Sequence, residues 1–164
     1  KDNYRLLNAN VHINKIEERV KLYNLALSNK VRSGYLKLMT PYNFGDFRVV
    51  KNKNKAEKIN LSILDNFTSQ INKNNSLIFI DAQGHEPEIF LGGKKTLKKK
   101  IPIIFELMPI LMKRRPEVLF NCIKHYGKLL DLRSNHVLKM SKKNFYLIYD
   151  KYLLNKSYTD VMVF

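Results

Sequence analysis

Four polar side chains are concentrated in one short turn of the sequence. Asp81, Gln83, His85 and Glu86 follow directly after residues 76–80, which are apolar except for Ser76. Side chains at the carboxyl ends of strands line the ligand crevice of open α/β sheets. Carboxylates and an imidazole in such a crevice can orient or deprotonate a hydroxyl group. The alternative is an ordinary strand–turn–helix joint, in which the acids only stabilise the first turn of the helix.

A further acidic residue is expected beside this turn. Glu106 lies near the end of another apolar segment, residues 101–107, which is predicted to be a buried strand. Asp81 and Glu106 are therefore predicted at adjacent strand ends, facing the same crevice. We predict that Asp81 or His85 orients or deprotonates an acceptor hydroxyl. Glu106 is either catalytic or a structural group that binds a backbone turn, and Glu86 is interpreted as a helix carboxylate.

The other histidines and the single cysteine belong to no recognisable site. His12, His125 and His136 are isolated, and no H-E-x-x-H or comparable spacing surrounds any histidine, so no metal is predicted. Cys122 excludes an internal disulfide framework and is predicted to pack as a small apolar side chain. The sequence contains neither a G-x-S-x-G turn nor a P-loop.

Alternating helical and strand patterns predict an α/β fold with a largely parallel sheet, in one domain. Residues 47–58 are interpreted as irregular and basic, and residues 64–71 as a helical turn. The predicted helices cover residues 3–15, 86–91, 94–100 and 116–126. The predicted strands cover residues 19–25, 33–39, 59–64, 76–80, 101–107, 127–132, 145–149 and 161–164.

The charge of the chain leaves a polyanion partner open. The 164 residues carry a formal net charge of +16, which makes nucleic acid an alternative ligand. The basic residues are scattered and mostly lysine, whereas arginine is the residue suited to bidentate contacts, and this favours a solvated surface. No apolar run reaches the length of a membrane span and no signal peptide is visible, so we predict a cytoplasmic protein.

Four segments, in order, resemble FkbM-type methyltransferases, which depend on S-adenosylmethionine. Residues 3–14 resemble the helix after the second strand of that family, and residues 20–28 resemble its third strand and the following turn. Residues 59–66 resemble the segment before its fourth strand. Residues 79–89, followed by Gly92, Gly93 and the run 102–106, resemble its I-D-V-E-G-x-E turn and fifth strand, with Gln83 where the family often has Glu.

The resemblance implies a fold and a domain. The fold would be a Rossmann-like class I methyltransferase sheet, mostly parallel with an antiparallel C-terminal strand, in a single domain over residues 1–164. The first two strands, with the glycine-rich turn and the acid that hold the cofactor, would precede Lys1. We therefore expect a chain that lacks its first two strands and is inactive on its own.

The resemblance also implies a reaction and its residues. We expect S-adenosylmethionine as cofactor and O-methylation of a small-molecule or glycan hydroxyl. The implied catalytic residues are Asp81, His85 and Glu106. The implied cofactor contacts are Asn24, Ala26, Asp81 and Gln83, although Asn24 and Ala26 fit a plain turn equally well. A degenerate, non-catalytic domain and a nucleic-acid-binding module remain as alternatives.

Overall fold

The structure, a computed structural model, describes residues 2–112 and 115–164 of the chain. Two compact units are present. The first holds Lys1–Ala26 and Val31–Leu61, and the second holds Leu27–Lys30 and Ser62–Phe164. A single family domain can contain more than one compact unit. The predicted single domain over residues 1–164 therefore stays a prediction.

The first unit combines one helix with antiparallel strands. Helix α1 spans Asp2–Ile13, and strand β1 is only Ala26–Leu27. Strands β2, Arg32–Leu38, β3, Phe47–Val50, and β4, Glu57–Ser62, pair antiparallel in the order β4-β2-β3, with β1 on the outer side of β4.

Two predictions for the first unit are wrong. Residues 20–25 form no strand, because a strand exists only where a neighbour pairs with its backbone, and the pairing begins at Ala26. Residues 47–58 are not irregular throughout, since Phe47–Val50 pairs with β2. The predicted helix over 3–15 and the predicted strand over 33–39 agree with α1 and β2 to within two residues.

The second unit is built on a five-stranded sheet. Its strands are β5, Ile78–Ile80, β6, Ile103–Leu107, β7, Lys128–Asp131, β8, His136–Lys139, and β9, Thr159–Val163. Their order is β5-β6-β9-β7-β8. Strand β5 runs parallel to β6, whereas β9 is antiparallel to both β6 and β7, and β7 and β8 form an antiparallel pair.

The predicted α/β fold is confirmed as a mixed α/β arrangement, but the mostly parallel sheet is wrong. Pairing is mostly antiparallel, because β9 lies between β6 and β7 and runs against both. The C-terminal strand is antiparallel, as predicted. Strands β5, β6 and β7 still run in one direction, so their carboxyl ends meet at the same edge of the sheet.

Helices of the second unit pack against this sheet and share a buried apolar core with it, whereas Phe79 of β5 stays 64% exposed. Helix α2, Glu86–Leu91, and helix α3, Lys94–Lys98, form the crossover that joins parallel strands β5 and β6. A 3₁₀ helix spans Leu64–Gln70, and α4 spans Pro116–Ile123. The largest fully buried side chains of the sheet and helices include Phe90, Leu97, Ile103, Phe105, Leu119 and Tyr149.

The predicted strand over residues 145–149 is wrong, because these residues belong to helix α5, Lys142–Leu154. Ser141 caps the helix: its hydroxyl accepts a hydrogen bond from the Asn144 N–H at 3.1 Å. The buried side chains of the helix recur at helical spacing, at Phe145, Ile148, Tyr149 and Tyr152.

Asp65 connects the 3₁₀ helix to the start of α3. Its Oδ1 accepts hydrogen bonds from the Thr96 backbone N–H at 2.8 Å and the Thr96 hydroxyl at 3.0 Å. Its Oδ2 accepts a hydrogen bond from the Lys95 N–H at 3.0 Å. The first N–H groups of a helix have no partner within the helix, so this carboxylate satisfies donors that would otherwise need water.

Replacing Asp65 with Ala should lower the free energy of unfolding by about 2 kcal/mol, because three hydrogen bonds to a charged acceptor are lost. Urea denaturation measures the change. Asp150→Ala is the matched control, since Asp150 is exposed on α5. Equal stabilities for the two variants would contradict the role given to Asp65.

Candidate functional site

The turn that follows β5 is tightly folded. The His85 N–H donates a hydrogen bond to the Ala82 carbonyl at 3.1 Å, which closes a four-residue turn. Both central residues are left-handed, with φ of 50° at Gln83 and 88° at Gly84. The Gln83 side-chain amide donates to Asp81 Oδ1 at 3.0 Å. The turn therefore fixes the position of the exposed Asp81 carboxylate.

Gly84 is required in this turn by space as well as by conformation. A Cβ atom at Gly84 would lie 2.6 Å from the Leu111 Cβ and 2.9 Å from the Leu111 carbonyl carbon and oxygen. No side chain fits so close to a backbone carbonyl, and a φ of 88° is unfavourable for every residue with a Cβ. Leu111 consequently lies directly against the turn.

The side chain of Glu86 is hydrogen-bonded to the backbone of the turn. Its side chain opens α2 and is fully buried, at 0% exposure. Oε1 accepts a hydrogen bond from the Ala82 N–H at 2.9 Å. The second oxygen, Oε2, is buried and has no hydrogen-bond partner among residues 2–112 and 115–164. A buried carboxylate with one unsatisfied oxygen destabilises the fold unless it is neutral, so it is an unusual feature.

The protonation of Glu86 responds to this environment. Burial raises the pKa of Glu86 from 4.5 to about 7, and the negative charges of Glu106 and Asp81 add to the increase. The hydrogen bond from Ala82 acts in the opposite direction but is outweighed. A carboxyl group that titrates near neutral pH beside two further acids is typical of a functional site.

His85 is positioned by a residue from a distant part of the sequence. Its Nε2 lies 3.1 Å from the hydroxyl oxygen of Ser28, which is only 2% exposed. Ser28 is fixed in turn, because its N–H donates to the Ser62 carbonyl at 2.8 Å. His85 itself is half-buried. The sequence singled out His85, whereas nothing in its spacing pointed to Ser28.

Glu106 and Asp81 lie on neighbouring strands with different exposure. The parallel register pairs Ile80 with Phe105, so Asp81, which follows β5, and Glu106, which lies in β6, are the next residues along the two chains. Asp81 is exposed, whereas Glu106 is buried at 8% exposure. Of the two predicted carboxylates, Asp81 is thus the one open to a ligand from solution.

An ion pair that the sequence did not predict fixes α2 to two loops. Glu88 accepts a hydrogen bond from the Asn29 side-chain amide at one oxygen and pairs with the Arg115 guanidinium at the other. Asn29 follows β1 and Arg115 precedes α4, so the three residues come from separate parts of the chain. No spacing rule connects positions 29, 88 and 115, and only the folded chain brings them together.

The remaining predicted cofactor residues, Asn24 and Ala26, belong to the first unit. Asn24 is exposed and outside any strand, and Ala26 is the first residue of β1. The strand predicted over residues 19–25 is not formed, for the reason given above, so neither residue follows a strand there. Asn24 and Ala26 belong to the first unit, whereas Asp81, Gln83, His85 and Glu106 belong to the second.

Some classes of site find no counterpart in the described part of the chain. Residues 2–112 and 115–164 contain no group of three or more His, Cys, Asp or Glu side chains that could hold a metal ion. Within the same residues, no helix has both the length and the apolar character that crossing a bilayer requires. No protein-family model, curated protein or solved structure matches this chain. The function is therefore argued from the site itself.

Replacing Gly84 with Ala should lower the free energy of unfolding by at least about 2 kcal/mol, because the new Cβ meets Leu111 and the left-handed backbone is strained. Chemical denaturation provides the measurement. Gly127→Ala is the matched control, since a Cβ there would lie at an ordinary 3.6 Å from the Phe164 carbonyl oxygen. A Gly84→Ala protein as stable as the control would show that Leu111 does not press on the turn.

Glu86 should make stability fall as the pH rises. The unfolded chain ionises Glu86 near pH 4.5 and the folded chain near pH 7, so the free energy of unfolding should drop by about 3 kcal/mol between these values. Glu86→Gln should remove this pH dependence. The variant should be as stable as the parent chain at pH 5, and at pH 8 its free energy of unfolding should be higher than that of the parent by about 3 kcal/mol.

Urea denaturation across this pH range tests the prediction, with Glu18→Gln as a control at an exposed carboxylate. The control should keep the pH dependence of the parent chain. If Glu86→Gln also keeps it, the dependence arises from another group and the assignment to Glu86 is wrong.

Proposed function

We propose that the chain is part of the catalytic domain of an S-adenosylmethionine-dependent methyltransferase that acts on a hydroxyl group of a small molecule or glycan. The observation that carries the proposal is the exposed Asp81 carboxylate, held at the end of β5 by a turn that the buried Glu86 anchors. Methyl transfer needs little from a protein beyond accurate positioning of the acceptor and a group to take its proton.

The topology of the second unit supports this proposal. The sequence resemblance implies a sheet whose last strand is antiparallel. In the structure, β9 runs against its neighbours β6 and β7, while β5, β6 and β7 share one direction. The Asp81 turn lies at the carboxyl end of this sheet, where open α/β folds bind their ligands. The mixed pairing is therefore compatible with a Rossmann-like methyltransferase sheet.

The chemistry of the turn fits the cofactor. S-adenosylmethionine carries a sulfonium cation and ribose hydroxyls, and it supplies the reactive methyl group when bound. Asp81 offers a carboxylate to a cation or a hydroxyl, and Gln83 offers an amide beside it. The charges of Asp81 and Glu106, which raise the pKa of Glu86, also favour a positively charged ligand nearby.

The residues of the turn would have different roles in the methyl transfer. Asp81 accepts a hydrogen bond from the acceptor hydroxyl and can receive its proton. His85, which Ser28 holds in place, is the second residue suited to that transfer. Glu106 and Glu86 stay out of solvent and act through the electrostatic environment and through the backbone of the turn.

The polyanion alternative has weaker support. A cavity of about 560 Å³ lies beside the 3₁₀ helix, and Lys73, Lys98 and Lys99 are among its lining residues. The Lys99 ammonium group, however, donates to the carbonyls of Thr68 and Ile71 at 2.7 and 3.0 Å. Its charge therefore stabilises the end of the 3₁₀ helix, and nucleic-acid binding stays a prediction from net charge.

Calorimetric titration of S-adenosylmethionine into the full-length protein tests the proposal. Asp81→Asn should weaken binding about tenfold or more, because a charge-assisted contact contributes about 1.5–3 kcal/mol. Asp150→Asn, an exposed change on α5, should bind like the parent. A folded full-length protein that binds no S-adenosylmethionine would overturn the proposed function, and equal binding by Asp81→Asn would overturn only the site.

A further inference from the structure

Lysines are concentrated at the edge of the five-stranded sheet that lies opposite the Asp81 turn. Strands β5, β6 and β7 begin at this edge, and antiparallel β8 ends there. The segments that form the edge are residues 71–77, 98–102, 124–128 and 139–141, and their sequences contain neither Asp nor Glu. We call this surface the basic edge. Its lysines are Lys73, Lys98, Lys99, Lys100, Lys124, Lys128 and Lys139.

Most of these lysines have no carboxylate to neutralise them. All except Lys99 are exposed. The Lys99 ammonium group donates to two carbonyls of residues 68–71 and is occupied within the fold. In the described part of the chain, lysine ion pairs join Lys142 to Glu117 and Lys151 to Asp131, and neither pair involves the basic edge. The exposed ammonium groups are therefore available to an external anion.

The fold brings lysines from separate segments close to one another. Lys73, Lys98 and Lys99 line one cavity of about 560 Å³. Lys128 and Lys139 are directly opposite each other on β7 and β8, so their side chains lie on the same face of the sheet. Like charges in this position destabilise a sheet, and an anion bound between them would relieve the repulsion. Five strands cover about 20 Å, so the charges share one compact surface.

Stabilisation of helix ends accounts for only part of this pattern. Lys98 ends α3 and Lys124 follows the last residue of α4, where a positive charge stabilises the helix. Lys73 lies in a loop, however, and Lys128 and Lys139 lie in strands. No helix explains these three charges.

Apolar side chains exposed among the lysines favour a lipid surface as the partner. Leu77 is 55% exposed, and Phe164, whose ring centroid lies 5.8 Å from the Lys128 ammonium group, is 38% exposed. Anionic membranes attract lysine clusters to their headgroups and accept apolar side chains just beneath them. Nucleic acids are read best by arginine, and the four segments of the basic edge contain none.

We propose that the basic edge docks on the surface of a bilayer that contains anionic phospholipid. The lysines contact lipid phosphates, and Leu77 enters the headgroup region. The opposite edge of the sheet, with the Asp81 turn, then faces away from the membrane and stays open to solution. This docking surface is separate from the Asp81 turn and stands whether or not the chain transfers a methyl group.

Co-sedimentation with vesicles tests the proposal. The chain should bind vesicles of phosphatidylcholine that contain about 30% phosphatidylglycerol, and it should not bind vesicles of phosphatidylcholine alone. Raising NaCl from about 0.1 M to about 0.5 M should release it, because salt screens exposed charges. Each lysine at an anionic surface strengthens binding about fivefold, so the double variant Lys98→Gln, Lys128→Gln should bind about 20-fold more weakly.

A second double variant controls for net charge. Lys30→Gln, Lys156→Gln removes the same charge from exposed positions of the second unit that lie outside the basic edge. Its binding should fall by no more than about threefold, because charges farther than a Debye length from the lipid are largely screened.

A tryptophan reporter locates the contact. The 164 residues contain no tryptophan, so one introduced residue supplies the whole tryptophan signal. The emission of Leu77→Trp should shift to shorter wavelength when anionic vesicles are added, because the indole leaves water. Leu154→Trp is the matched control and should not shift: Leu154 is 81% exposed at the end of α5, which leads from β8 to the opposite edge, where β9 begins.

Four outcomes would overturn the proposal. The first is no binding to the anionic vesicles, and the second is an equal loss of binding in the two double variants. The third is an emission shift of Leu154→Trp as large as that of Leu77→Trp. The fourth is a Lys98→Gln, Lys128→Gln protein that loses binding to a single-stranded oligonucleotide but not to vesicles, which would assign the edge to nucleic acid. The tryptophan variants keep every charge, so they decide the question even if a lysine variant fails to fold.

Discussion

The hydrogen bond between the Ala82 N–H and the buried carboxyl group of Glu86 is the constraint on which the candidate site depends. It holds together a turn with two left-handed residues, which a free chain would not adopt. This turn determines where the Asp81 side chain lies and where helix α2 begins. Fixing the site in this way buries Oε2 of Glu86 without a hydrogen-bond partner among the described residues. Burial of this carboxyl group is the main reason that its pKa is raised.

The direction of the strands explains why two features of interest lie at one edge of the second unit. Strands β5, β6 and β7 all end there, which places the Asp81 turn at the same edge of the sheet as a cavity lined by Leu132, Arg133, Tyr158, Thr159 and Asp160. Strand β9 runs the other way and begins at this edge, so its first residues complete the cavity. An all-parallel sheet would have placed the end of a strand, not its start, at this position.

Local parts of this structure were predictable from the sequence. Helix α2 has the predicted bounds, because Pro87 fits the first turn of a helix and the glycines at positions 92 and 93 end it. The burial of Glu86 was not predictable, since an acid in the first turn of a helix is usually solvated and only tertiary packing covers it. The same limit applies to the contacts of His85 with Ser28 and of Glu88 with Arg115, which join distant segments.

A short apolar run can form either a strand or part of a buried helix, and one such run was predicted wrongly as a strand. Residues 145–149 are rich in apolar and aromatic side chains, as a strand would be, but the burial repeats at Phe145, Ile148 and Tyr152 with helical spacing. Strand β8 was not predicted, because its four residues are mostly exposed and too few to show the alternation of apolar and polar side chains that is typical of a strand. Pairing order in the sheet depends on long-range contacts and cannot be derived from local patterns.

The most direct test of this account is the titration of Glu86 itself, followed through its side-chain carboxyl carbon by ¹³C NMR in the folded chain. A midpoint near pH 7, against the ordinary value of 4.5, is the predicted result, because burial and the neighbouring acids oppose ionisation. A midpoint near 4.5 would contradict the account. It would mean that water reaches the Glu86 carboxylate, and the turn that positions Asp81 would then lack its buried anchor.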